Sequence, residues 1–142
     1  ASQASRSASG ESSPCTARLR CTLSLRFPFR TLPMPDTLLV LTNLPDAASA
    51  ERIARLLVEQ RLAACVNILA PCTSVYRWNA AIETAAEVPL LIKTTRARYA
   101  ALEAALAEAH PYELPEIVAV PLDAGLPGYL AWVAAETTPP QA

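Results

Sequence analysis

Glycine is scarce in this 142-residue chain, which has three. None stands in an acylphosphatase-type anion loop followed by Arg, which argues against that chemistry. Histidine is scarcer still. His110 stands alone, and no nucleophile, base and orienting group can be assembled around it, so the reading predicts that the chain is not an enzyme. The four cysteines, Cys15, Cys21, Cys65 and Cys72, show no two-residue spacing and spell no zinc knuckle or redox motif. No apolar run is long enough to span a bilayer. Aromatic strand centres on a basic face, which an RNA-recognition module needs, are also missing.

Charge divides what is present. Residues 1–33 carry Arg6, Arg18, Arg20, Arg26 and Arg30 against Glu11 and are crowded with Ser and Pro, while residues 34–142 hold seven basic and twelve acidic side chains. An acidic globular part argues against a nucleic-acid partner. The expected organisation is a non-native or disordered extension over 1–33 and one domain over 34–142, the size of a single hydrophobic core. Three readings of the extension stand side by side. It is a transit peptide, rich in Arg and Ser and poor in acids; sequence upstream of a start at Met34, the only Met; or a natural disordered tail. Reduced thiols and a sizeable core predict a cytoplasmic protein, or an organellar one in the first case.

Within the domain the hydrophobic period alternates between two and 3.6. Residues 38–42 read as a strand stopped by Asn43, Pro45 and Asp46. Asp46 then caps a helix reaching about Leu62, with Ala50, Ile53, Ala54 and Leu57 as its stripe and Glu51 and Arg55 outside. Residues 63–69 and 73–78 read as a long bent strand, broken at Pro71, that turns at 79–81 into a partner. Pro89 is expected to open the next strand, through Thr94. A second helix runs from Thr95 with Tyr99, Leu102, Leu106 and Ala109 inward, and stops at His110 because Pro111 follows. Residues 117–122 form the last strand, and 128–135 a short C-terminal helix. The order β-α-β-β-α-β predicts an α+β, ferredoxin-like sandwich.

That sandwich covers one face of its sheet with helices, yet 64–66, 90–92 and 117–120 are apolar at consecutive positions. Both faces therefore favour burial. A four-stranded face presents roughly 400 Å², worth on the order of 10 kcal/mol at about 25 cal/mol per Å². The reading predicts self-association.

The blocks Arg61-Leu62-Ala63-Ala64-Cys65-Val66-Asn67, Ser74-Val75-Tyr76-Arg77-Trp78, Ile82-Glu83, Leu91-Ile92-Lys93-Thr94, His110-Pro111-Tyr112, Pro115-Glu116-Ile117 and Tyr129-Leu130-Ala131-Trp132 closely resemble the CutA divalent-cation tolerance family over about 38–136. The resemblance implies a ferredoxin-like protomer, a homotrimer whose sheets face one another, and a link to tolerance of copper and other divalent cations. It leaves a second function class open, a trimeric small-molecule signal protein of the nitrogen-regulatory type, which shares this architecture. Departures stand beside the matches. Ala80 and Ala81 occupy hairpin positions where Gly and Lys are usual, Thr42 replaces a Cys of some members, and Ala109 a second His.

Each candidate residue has a structural alternative. His110, Glu113 and Glu116 cluster near a helix end and two prolines, and an imidazole with carboxylates suits copper or zinc; equally, a helix C-terminus favours a cationic His through the macrodipole alone. Cys65 is a further soft ligand or simply a small buried hydrophobe. Tyr76, Trp78, Glu83 and Lys93 are candidates for an inter-subunit cleft, with Glu83 or Glu116 as the expected partner of Lys93. Packing against a neighbouring subunit is the alternative role of the two aromatics.

Overall fold

The computed structural model describes residues 36–139; the extension read at 1–33 lies outside them. The elements are β1 (Thr37–Leu44), α1 (Ala47–Glu59), β2 (Cys65–Ile68), β3 (Cys72–Trp78), β4 (Ala81–Thr95), α2 (Arg96–Ala109), β5 (Val118–Pro121) and α3 (Pro127–Glu136). The sheet order is β2-β4-β1-β5, with β3 also on β4, and all pairings are antiparallel. β2 and β3 meet β4 at successive stretches, 90–93 and 81–87. They behave as the one bent strand expected, and the fold is an α+β sandwich of split βαβ order.

Period two sets the core. Leu38, Val40, Thr42 and Leu44 of β1 and Val88, Leu90, Ile92 and Thr94 of β4 are all buried. They meet Ala50, Ile53 and Leu57 from α1 and Leu102 and Leu106 from α2, so both helices lie on one face. Each fully buried Leu or Ile contributes about 1.5–3 kcal/mol. No helix among the described residues is long and apolar enough to cross a membrane.

The helix ends follow local chemistry. The Asp46 carboxylate accepts from the Ser49 backbone N–H at 2.8 Å, and that bond above all holds its pKa below the usual value. Thr95 is the N-cap of α2 without a side-chain cap bond; its hydroxyl meets that of Thr137 at 3.3 Å instead. α1 stops at Glu59, earlier than the periodicity predicts. Arg61 adopts a φ of 53°, and Arg61 and Leu62 donate back to the Val58 and Leu57 carbonyls. This is a Schellman cap with Arg where glycine is usual.

Two further departures concern β4. The hairpin loop is two residues, Asn79 and Ala80, both at positive φ, and Ala81 already pairs with Trp78. Such a turn asks for glycine at its second position, and Ala80 bears the strain instead. Pro89, expected to begin a strand, lies inside β4. Its carbonyl accepts from the Leu69 N–H, so its missing donor also faces the gap between β2 and β3. Proline removes no ladder bond there.

The second face of the sheet carries Leu39, Leu41 and Leu91, half-buried, beside Val118 and Val120, 46% and 50% exposed. Registers place Val118, Leu41 and Leu91 in one row and Val120, Leu39, Lys93 and Cys65 in the next.

Candidate functional site

A cleft of about 720 Å³ lies between the β3–β4 hairpin and the loop 111–116. Strand alternation builds its first wall. Ser74, Tyr76 and Trp78 share one face of β3, and the register sets Glu83 opposite Tyr76. Glu87 follows Glu83 by four residues and so shares its face. Pro111, Tyr112, Glu113, Leu114 and Glu116 form the second wall, and Asn43 at the end of β1 closes the floor. Asn43 donates from Nδ2 to Glu116 at 2.5 Å. The Tyr76 phenol lies beside Glu83 and the Tyr112 phenol beside Glu87. Burial, then Glu87, pushes the Tyr112 phenol up to about 12, and Tyr76 is raised by burial and then Glu83. Both phenols remain protonated donors near neutral pH.

His110 supports the second wall from behind. It is buried, with backbone angles of −73° and 136° as its place before Pro111 requires. Its Nδ1 accepts from the Tyr112 N–H at 3.1 Å. Since a backbone amide only donates, the ring proton lies on Nε2, which is 3.1 Å from the Asn43 carbonyl and 3.3 Å from the Thr42 hydroxyl. Burial lowers its pKa, against the opposing pull of the Asn43 carbonyl and Glu87. The cation that a helix C-terminus favours is thus displaced by a neutral imidazole whose two nitrogens are both engaged.

The candidates therefore separate. Tyr76, Trp78 and Glu83 meet Glu113 and Glu116 in the cleft. Lys93 does not join them. Ten residues of β4 separate it from Glu83, on the order of 30 Å of extended chain, and its partners are neither of the expected glutamates. Lys93 donates to Asn67 and lies 3.8 Å from the Cys65 sulfur. Tyr129, raised by burial and by Cys65, completes that second group. Cys65 is thus on the open sheet face, apart from His110, Glu113 and Glu116. Among the described residues no three His, Cys, Asp or Glu side chains converge to hold a metal ion.

Asn43, Glu87 and Tyr112 were not singled out as cleft residues from the sequence. The signal for Glu87 is its four-residue spacing from Glu83 within a strand. For Asn43 no local signal exists, because 73 positions separate it from its partner Glu116.

Comparison with known proteins supplies the family. Residues 38–136 match the family model described as CutA1 divalent ion tolerance protein. The Protein CutA of Mus musculus is 45% identical over 89 residues, 63% of this chain; the chain spans about half the length of that relative, 50%. The divalent-cation tolerance protein CutA of Pectobacterium atrosepticum is 40% identical over 101 residues, covering 71% of this chain and 92% of the relative. The crystal structure of CutA from Xylella fastidiosa superposes with a TM-score of 0.71 at 47% identity, covering 72% of this chain and 99% of that one. With residues 38–136 matched by the family model and a relative 40% identical over 71% of the chain, the chain belongs to the CutA1 divalent ion tolerance family.

Proposed function

We propose that this chain works as a non-enzymatic, metal-responsive homotrimer in the cytoplasm, taking part in tolerance of a divalent cation such as copper or zinc through weak contacts shared between subunits. The observation that carries this reading is the uncovered apolar face of Leu39, Leu41, Leu91, Val118 and Val120, which favours association. The weak-binding element follows from the ligand set: with both nitrogens of His110 engaged, Glu113 and Glu116 at the cleft rim are the protomer's own contribution, and a neighbour supplies the rest. In this reading His110 holds the loop. Native mass spectrometry with elemental analysis tests it. Expected are a species of three times the 15.2 kDa chain and copper uptake that falls in Glu113→Gln/Glu116→Gln. A stable monomer, or uptake unchanged in that variant, overturns it.

A second reading is supported by the cleft itself. Its volume is in the range of small-molecule sites, with aromatic walls and a few placed polar groups, as a signal trimer of the nitrogen-regulatory type would require. A nucleotide and metabolite affinity screen on the purified protein separates the two readings.

A further inference from the structure

The cleft combines three features that point to one ligand chemistry. Tyr76, Trp78 and Tyr112 supply aromatic surface on both walls, and aromatic faces attract ammonium groups as well as methylene chains. Glu83, Glu87, Glu113 and Glu116 line the same space. Glu116 accepts from the amide of Asn43, and Glu83 and Glu87 lie beside the phenols of Tyr76 and Tyr112, all neutral groups that leave the carboxylate charge in place. The ion pairs of the described residues, Glu51 with Arg55 and Glu136 with Arg61, lie elsewhere. Arg77, paired with Ile82 across the hairpin, also lines the cleft, and its single positive charge against four carboxylates leaves the lining net acidic.

Within one protomer a compact ion is a poor match to this geometry, because the carboxylates are spread over two walls and no three converge among the described residues. A long cation with separated charges and an apolar body matches both the spacing and the aromatic walls.

We propose that the cleft binds a linear aliphatic polyamine, with ammonium groups on Glu83, Glu113 and Glu116 and methylene segments against Tyr76, Trp78 and Tyr112. This rests on the reading of the cleft as a small-molecule site. Glu87, buried against Tyr112, sets the position of the second wall.

The test uses the full chain carrying Trp132→Phe, which leaves Trp78 as the only tryptophan reporter. Spermidine, putrescine, n-butylamine and magnesium chloride are titrated at constant ionic strength, with Trp78 fluorescence and calorimetry as readouts. Saturable binding is expected in the order spermidine, putrescine, n-butylamine, with magnesium producing no saturable change. Glu83→Gln/Glu113→Gln, both exposed positions, is expected to weaken spermidine at least tenfold with unchanged circular dichroism and sedimentation. Equal responses to magnesium and spermidine, or spermidine affinity unchanged in the double variant, overturn the proposal. If amines fail while a nucleotide or other metabolite perturbs Trp78 saturably, the polyamine assignment falls and the cleft reading stands. If no ligand perturbs Trp78, both fall.

Discussion

The two faces of the sheet are both apolar, and only one is fully covered within the protomer; the other meets α3 alone, with Tyr129 beside Cys65. On the covered face Val40, Leu90 and Ile92 are fully buried beneath α1 and α2. On the other, Leu39, Leu41 and Leu91 are half-buried, and Val118 and Val120 stay about half exposed. Residues adjacent in sequence thus fall into opposite environments by strand alternation alone. The difference teaches that hydrophobicity favours the burial of a face without specifying by what: the covered face finds α1 and α2 along its own chain, and the proposed trimer is what would cover the other.

The largest effect is expected where the comparison is most exposed to failure. Val118→Lys places a charge in the proposed dry interface, and sedimentation should show the trimer replaced by a species of the 15.2 kDa chain mass; unchanged sedimentation would make the open face a solvated surface. On the covered face, Leu90→Ala should reduce the free energy of unfolding in denaturant by about 3 kcal/mol, the transfer and cavity terms acting together. A loss below about 1 kcal/mol would show a core able to collapse around the gap.

pH sharpens the contrast at the edge of the covered face. His110 has a folded-state pKa below its unfolded value of 6.5, so the unfolded chain binds the proton more readily. Stability from this group is complete above pH 6.5 and is lost as pH falls through that value towards the folded pKa. Wild type should therefore lose stability relative to His110→Gln between pH 7.5 and 5 in thermal unfolding, and parallel profiles would refute it. Smaller effects belong to the surface. Ala80→Gly, relieving a φ of 64°, should raise stability by about 0.5–1 kcal/mol. Arg55→Ala, which removes an exposed pair with Glu51 at 3.0 Å, should change it by less than about 0.5 kcal/mol.

Much of the architecture was legible because it is local. The α1 stripe of Ala50, Ile53, Ala54 and Leu57 is the buried set observed, Asp46 caps as its position before that stripe predicts, and Pro111 ends α2 at His110. The errors are also instructive. Arg61 hides a helix end because glycine is the usual marker of a left-handed cap, and Pro89 signals a strand start unless the neighbouring strand is known to be interrupted beside it. Of the candidate site, Tyr76, Trp78 and Glu83 were legible as one group through period two. Lys93 lies ten residues further along β4 than Glu83 and joins Asn67 and Cys65 within the protomer, a separation that residue type alone does not report.

The amino-acid sequence by itself determined the elements, their inward faces and the family blocks, since periodicity, capping and turn chemistry act within a few residues. Only the tertiary structure decided the site. It brought Asn43 to Glu116 across 73 positions, engaged both nitrogens of His110 with Asn43, Thr42 and Tyr112, and placed Cys65 with Lys93 on the open face. The protonation and availability of a side chain depend on which groups the fold packs around it, and those groups come from distant parts of the chain.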